Sequence, residues 1–413
     1  YPSVSGSFIL TEALDLDVPA LSYAKIRGSW AETGDDAQPF QVNQTFSIGG
    51  GLGGSFGGQN FGTVPDSRSN PDFEPEETTS IEVGTDLRFL QDRVDFGFTY
   101  FTQSTENQVI PIPVSSGSGF SSQVINTGEI SNTGVEGRIE ATIFEIQDFQ
   151  WNLSFNASTS ESEVEDFPGD ITTQVLGTSR SGVQVVASEG EEFGNILGTK
   201  FQRDGNGEIV VDANGIPKPK TNEAGGVVQE KLGNFQADWR GGVGTTVSWK
   251  NFSLRALLDI RQGGEIYSLS NVQAFRTGNH EATLRGRDDG FVFDGVKENG
   301  EPNDIRVSSE EFWSSVAGFP EGAIDERFVF DASYVRLREL TLGYQLPATL
   351  IGGTPIQSAR ITFTGKNLVF LERHTDGFDP VAATRARSSG VQGLEFASFP
   401  NTRSFGVNIN LRF

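Results

Sequence analysis

The sequence contains no Cys, which excludes disulfides and thiolate metal sites alike. It contains no Met, and that absence carries no inference. Only two histidines are present, His280 and His374. Nothing marks a nucleophile elbow that could use either, so hydrolase chemistry is not expected and the chain reads as a non-enzyme. Positive charge is scarce: 31 Lys and Arg stand against 55 Asp and Glu, a formal net charge of −24. A chain so acidic is a poor ligand for a phosphate backbone, and no nucleic-acid partner is expected. No apolar run approaches the length of a membrane helix. A membrane β-barrel escapes that test, because only every second residue of its strands faces lipid. A hydrophobic fraction of 36% is therefore compatible with a membrane protein.

What the sequence does contain is alternation of period two, arriving in pairs. Ile81, Val83, Leu87 and Phe89 share one strand face, and after a short turn Val94, Phe96, Phe98 and Tyr100 resume. Trp239, Val243, Val247 and Trp249 lead through Lys250-Asn251 into Phe252, Leu254, Ala256, Leu258 and Ile260. Val135, Ile139, Ala141 and Ile143 are followed in the same way by Phe149, Trp151, Leu153 and Phe155. About eleven strands are expected, at 2–10, 22–32, 78–89, 93–103, 133–144, 149–161, 237–249, 252–262, 328–346, 358–371 and 402–413, most of them near the ~9–11 residues that cross a bilayer. Turns near 90–93, 145–148 and 250–251 are tight, and those at 11–21 and 347–357 are modest. The connections at 33–77, 104–132, 162–236, 263–327 and 372–401 are long. Short turns at one end and long loops at the other are the pattern of an outer-membrane β-barrel, with the short end periplasmic. The expected fold is all-β, a transmembrane antiparallel barrel wall that forms one unit over 1–413.

The chain opens on Tyr1 without an initiator Met or a signal peptide, and Tyr1-Pro2-Ser3-Val4-Ser5 already reads as strand. The natural N-terminal part is therefore expected upstream. An odd number of strands cannot close in lipid, where unpaired edge groups go unsatisfied, so further strands are expected from that part.

Within the strand at 328–346 the apolar phase slips between Val335, Leu337 and Leu340, Leu342, Tyr344. One extra residue at Arg338-Glu339 would return both halves to the lipid side, so a β-bulge is expected there. Opposite the lipid face stand Lys25, Arg27, Glu82, Asp86, Arg88, Asp95, Glu136, Arg138, Glu140, Arg240, Arg255, Asp259 and Arg261. They read either as cross-strand ion pairs or as the lining of an interior path. Asp204-Gly205-Asn206-Gly207-Glu208 invites a calcium-loop reading, but Ile209 stands where an EF-hand needs Gly. A hairpin around Ile209-Val210-Val211 is preferred; calcium held by acidic loops stays open without a placed site. The glycine-rich run at 49–58 lacks the Lys-Ser/Thr ending of a phosphate loop and reads as an extracellular loop. In the loop at 263–327, Phe275, Arg276, Arg285, Arg287, Phe291, Phe312 and Trp313 are candidate substrate contacts, since rings stack on sugars and Arg pairs carboxylates. The same residues could instead pack the loop.

Five stretches stand out: Ser333-Tyr334-Val335-Arg336-Leu337-Arg338-Glu339-Leu340-Thr341-Leu342-Gly343-Tyr344-Gln345-Leu346-Pro347, Gly365-Lys366-Asn367-Leu368 with Gly377-Phe378-Asp379-Pro380, Lys25-Ile26-Arg27-Gly28-Ser29-Trp30, Asn132-Thr133-Gly134-Val135-Glu136 and Phe291-Val292-Phe293-Asp294-Gly295-Val296. These segments resemble the SusC-like (SusC/RagA) family of TonB-dependent transporters. They occur in the family's order from one end of the chain to the other. The resemblance implies the final half of a 22-stranded barrel, with a plug domain and a TonB-contacting segment outside this chain. It implies a SusD-like surface lipoprotein as lid, pairing of two transporter–lipoprotein units, and residence in the outer membrane of a Gram-negative, Bacteroidota-like bacterium, in contact with lipid and lipopolysaccharide. Import of oligomeric glycan or peptide would follow; the alternative is a SusC-like barrel acting as a structural subunit of a larger assembly. The last strand alternates Phe405, Val407, Ile409, Leu411 and Phe413, which resembles the signal read by barrel-assembly machinery. An aromatic girdle residue at the periplasmic interface gives the same ending.

Overall fold

The computed structural model describes residues 1–413 apart from 17, 37–41, 49–54, 57–58, 61, 127, 168–170, 319–322 and 384–390. Eleven strands form one antiparallel sheet in strict sequence order. They are β1 (Ser3–Ile9), β2 (Leu21–Asp35), β3 (Glu76–Phe89), β4 (Val94–Glu106), β5 (Glu129–Ile146), β6 (Phe149–Asp166), β7 (Trp239–Trp249), β8 (Phe252–Gln262), β9 (Tyr334–Gln345), β10 (Ser358–Arg373) and β11 (Ser404–Arg412). Tight turns fix β3 beside β4, β5 beside β6 and β7 beside β8, and each long connection returns the chain to the adjacent edge.

The register turns the period-two pattern into rows across the sheet. Ala24, Leu87, Phe96, Ile139, Phe155, Val243, Leu258, Leu337 and Val369 stand side by side on one face. Near the short-turn end the same face carries Phe149, Trp249, Phe252, Tyr344, Ile361 and Ile409 in one row. The rings of Phe252 and Tyr344 lie 4.6 Å apart there. An aromatic row at the edge of an apolar band is the interfacial girdle of a membrane barrel. Ile81, Val83, Phe98, Tyr100, Phe155, Leu342, Phe363 and Val407 are all solvent-exposed on this face, as lipid contact requires.

The opposite face is charged, and its register aligns Lys25, Asp86, Gly97 and Arg138 in one row. Lys25 reaches Asp86 at 2.9 Å, Arg138 spans Asp86 (3.5 Å) and Asp95 (3.2 Å), and Arg88 meets Asp95 at 3.3 Å. Arg138 on β5 reaches Asp86 on β3 only by lying flat across β4, and Gly97 is the residue it crosses. A Cβ at Gly97 would stand 2.6 Å from the Arg138 Nε. The same device recurs where Arg27 crosses Gly84 to donate to the Thr99 hydroxyl at 2.6 Å. Gly97→Val is expected to lift Arg138 off Asp86 and cost about 1–3 kcal/mol by overpacking. Thermal unfolding of the full-length protein in detergent checks this, and an unchanged midpoint would contradict it.

Three features differ from the sequence expectation. Strands β4, β5 and β6 run several residues further towards the long loops, because polar Thr, Ser and Glu continue the ladder beyond the apolar band; Thr78 with Thr105 (2.9 Å) and Thr102 with Thr133 (3.1 Å) join across it. The span expected at 328–346 is broken. Val329–Asp331 leaves the wall to pair with Glu265–Ser268, and the barrel strand starts at Tyr334. The break is held by Ala332 N–H donating to the Gly264 carbonyl (2.8 Å) and by Ser333 donating to Asp331. Finally, three of the long connections, 162–236, 263–327 and 372–401, share one core, as described below.

The register beside β9 skips one residue at Arg338: Leu257 faces Glu339 while Leu258 faces Leu337. On the other side Leu337 faces Val369 and Glu339 faces Lys366, so β10 contributes extra residues at the same height. Asn367 adopts a left-handed φ of 53° there and donates through Nδ2 to the Thr402 carbonyl (3.1 Å). Gly-Lys-Asn-Leu is thus the sequence of a bulge: Asn tolerates the left-handed turn, and Gly365 leaves room for Leu368 above it.

Candidate functional site

Segments from 183–232, 263–330 and 391–396 build one apolar core above the long-loop end of the wall. Val183, Val185, Ile196, Tyr267, Leu269, Phe275, Phe312, Phe328 and Leu394 are buried together in it. Two helices carry part of this core, α1 (Leu269–Arg276) and α2 (Ser309–Val316). Each begins with a serine cap, Ser268 accepting from Asn271 N–H and Ser308 from Glu311 N–H.

Buried carboxylates stitch the segments. Asp325 accepts from Thr199 N–H (3.0 Å) and from its hydroxyl (2.9 Å), and takes the Tyr267 hydroxyl at 3.2 Å. Burial raises the Asp325 pKa and pushes Tyr267 up as well. Glu395 accepts from the hydroxyls of Ser268 (2.6 Å) and Ser270 (2.9 Å). Asp379 caps Val381 N–H (2.9 Å) and holds Asn401 through its backbone and side-chain nitrogens. Gly-Phe-Asp-Pro is therefore a loop-tying motif here.

Asp204 closes the hairpin around Ile209: its Oδ1 accepts from Asn206 N–H and Glu208 N–H, both at 2.9 Å. Asp212 repeats this on Asn214 and Ile216, and Asn222 on Ala224 and Gly226. Three Asx-closed turns follow one another, each with a left-handed Gly at its fourth position. Among the described residues no three His, Asp or Glu converge as metal ligands do.

Of the seven expected substrate contacts, Phe275, Phe291 and Phe312 are buried in the core. They present no ring to a ligand in this structure, since burying a Phe is worth more than displaying one. Trp313 is half-buried, packed on Phe275 (4.5 Å) and Phe312 (4.9 Å). Arg287 is exposed and donates to Thr283 O (3.1 Å) and to Gly278 O. Arg285 is exposed over the Phe291 ring, and Arg276 is exposed at the end of α1. The glycine-rich run at 49–58 lies outside the described residues except for Ser55–Phe56, which pairs with Gln59–Asn60.

Both histidines are structural. His280 stacks on Phe275 with ring centres 3.9 Å apart, accepts from Ala282 N–H, and faces Asp376 at 3.1 Å. His374 lies between Asp331 (2.7 Å) and Glu372 (2.9 Å). Hydrogen bonds to Glu372 and then Asp331 raise the His374 pKa above its ordinary 6.5. Its contribution is full below pH 6.5 and is lost as pH rises through the raised value. The protection factor of the His374 amide, whose N–H reaches the Ser333 carbonyl, is expected to fall above that point in the wild type, once the intrinsic rise of exchange with pH is divided out, and to be independent of pH in His374→Gln.

On the inner face, Asp259 and Arg336 form the least exposed pair, at 2.6 Å. Arg261 turns instead to backbone, donating to Phe235 O at 2.7 Å and Gly263 O at 3.2 Å. Glu82, Glu136, Glu140, Arg240 and Arg255 form no ion pair among the described residues and leave their charge to the interior. A polar cleft of about 470 Å³ opens at the top of the wall, bordered by Glu161, Glu192, Lys231, Asp238 and Glu265. Burial, with Asp331 and Asp238 nearby, raises the Glu265 pKa although Asn234 N–H opposes it.

The fold over the whole chain is similar to that of known proteins. Over 94% of its length the chain is 27% identical to TonB-dependent receptor P3 of Formosa agariphila, and over its whole length 23% identical to TonB-dependent receptor SusC of Bacteroides thetaiotaomicron. It covers 39% and 40% of those proteins, so it spans about two fifths of the relatives it matches. Among solved structures it superposes on the RagAB peptide importer in its closed-closed state with a TM-score of 0.76, at 19% identity, covering 99% of this chain and 43% of that one. In the open-open state the TM-score is 0.73 at 18% identity, covering 100% of this chain and 42% of that one. The profile of the family described as TonB dependent receptor-like, beta-barrel matches residues 1–368, and the chain belongs to that family of outer-membrane proteins of Gram-negative bacteria.

Proposed function

We propose that this chain is the C-terminal barrel half of an outer-membrane importer of the SusC type, taking up oligomeric glycan or peptide. In this reading the plug, the TonB-contacting segment and the remaining strands of a 22-stranded barrel come from the rest of the polypeptide. A SusD-like lipoprotein covers the long-loop end as a lid. The observation that carries the reading is a wall that is apolar and aromatic outside, charged inside, and crowned by a folded loop module. The unpaired interior charges, Glu82, Glu136, Glu140, Arg240 and Arg255, give the plug a polar surface to slide against. β11, with Phe405, Val407, Ile409 and Leu411, and the Phe413 that follows it supply the assembly signal.

Purification of the native complex in detergent, with identification of every chain, tests this. A polypeptide about twice as long, accompanied by a surface lipoprotein, is the expected result. Recovery inside a larger assembly without a lid or a TonB-contacting segment would favour the structural-subunit role instead.

A further inference from the structure

Arg327 is a cation whose side-chain donors meet no acceptor among the described residues. It lies in the single 3-10 turn Asp325–Phe328. Its guanidinium carbon stands 4.9 Å from the Phe275 ring centre, 5.8 Å from Trp313 and 5.9 Å from Phe328. Its acidic neighbours are engaged elsewhere, Asp325 on Thr199 and Tyr267, and Glu326 on Phe201 N–H (2.8 Å) and Arg203 (2.9 Å). Among the described residues Arg327 has no carboxylate within ion-pair distance and no hydrogen-bond acceptor. The carboxylate whose charge acts on it is Asp376, which already faces His280 at 3.1 Å.

Other arginines of the module differ. Arg203, Arg287 and Arg306 all donate to protein oxygens, and Arg285, which also stacks on a ring, is exposed so that water serves its donors. Arg327 is half-buried, and burial depresses its pKa. Beside it the indole N–H of Trp313 is covered and, among the described residues, lacks an acceptor too. Two adjacent donor groups therefore share a corner that is short of acceptors, an arrangement that costs free energy unless something supplies one.

We propose that Arg327 is an anion-recognition point of the loop module, pairing a carboxylate of the imported oligomer. The guanidinium carbon lies over the Phe275 ring at 4.9 Å, and a guanidinium carries its N–H groups as a planar fork, which suits a planar carboxylate. This rests on the importer reading above and narrows its substrate class to acidic oligomers. A uronate sugar and a peptide carboxylate share the chemistry.

The test is calorimetric binding to the full-length transporter with its partners, using two matched pairs of probes. One pair is an oligogalacturonate and its methyl ester; the other is a short peptide with a free C-terminus and its C-terminal amide. The charged member of one pair is expected to bind about tenfold tighter or better, the scale of a charge-assisted hydrogen-bonded pair. Which pair shows the preference identifies the source of the carboxylate. Arg327→Gln should abolish that preference. Arg327→Lys, which keeps the charge but not the fork, should retain only part of it and carries the test if the Gln variant fails to fold. Equal binding within both pairs, or a preference that survives in Arg327→Gln, overturns the proposal. A wild-type protein that binds none of the four probes overturns the importer reading for these ligand classes, and this subsite with it.

Discussion

Phe275→Ala is expected to unfold the loop module while leaving the barrel wall in place. Phe275 is 1% exposed and stands at the centre of the module. His280 stacks on one face at 3.9 Å, and Trp313 and Phe328 pack at 4.5 Å and 5.6 Å. Arg327 lies over the same ring at 4.9 Å. Truncation removes the ring's transfer free energy and leaves a cavity that three rigid rings cannot fill, a loss of about 3–5 kcal/mol. The module has a small core of its own, so a loss of that size exceeds what a local unit can absorb. Limited proteolysis should cut the variant within 163–236 and 263–327 at protease levels the wild type resists. The heat-modifiable band of the folded barrel should persist. If barrel and module instead melt together at a lowered temperature, they form a single cooperative unit and the two-part description fails. Phe275→Leu, which keeps much of the volume, should lie between.

Arg336→Ala should destabilise the wall itself, by about 3 kcal/mol, towards the lower end for a buried pair that loses one partner. The Arg336 side chain is 5% exposed and Asp259 22%, and they meet at 2.6 Å. The guanidinium also lies 5.8 Å from the rings of both Tyr334 and Phe370. Removing it leaves Asp259 facing a tyrosine hydroxyl at 3.5 Å as its nearest donor. The partial opening of Asp259 to the lumen lets water recover some of the loss, which sets the lower figure. Arg336→Met combined with Asp259→Asn removes both charges and should cost clearly less than Arg336→Ala alone. Tryptophan-fluorescence melting of the detergent-solubilised full-length protein reads both. A double variant no better than the single one would show that stacking, not charge, holds this corner.

Alternation, a property of residues i and i+2, located all eleven strands, and their lipid-facing residues fall on one face of the sheet. The slipped phase at Arg338 was legible for the same local reason, since a bulge shows itself as a shift of one residue, whereas the matching bulge at Gly-Lys-Asn-Leu shows no phase slip and needed the register. Which charges pair was not legible. Arg138 reaches Asp86 only because Gly97 lies between them on a third strand, and no single strand carries that information. The break at 332–333 was hidden because Val329–Asp331 alternates as a wall strand does, and only its partner, Glu265–Ser268, decides otherwise. The loops carry no period, so their core was invisible: Ser268 meets Glu395 across 127 residues and Thr199 meets Asp325 across 126. Phe275, Phe291 and Phe312 look like any loop aromatics until those distant segments close over them. Arg327, set in Asp-Glu-Arg-Phe, reads as one charge in a paired run, yet both acidic neighbours turn away to other strands. The sequence by itself thus determined the wall, because a strand's two faces are written in adjacent residues. Only the tertiary structure decided the module and its unspent guanidinium, because burial and pairing there depend on residues far apart in the chain.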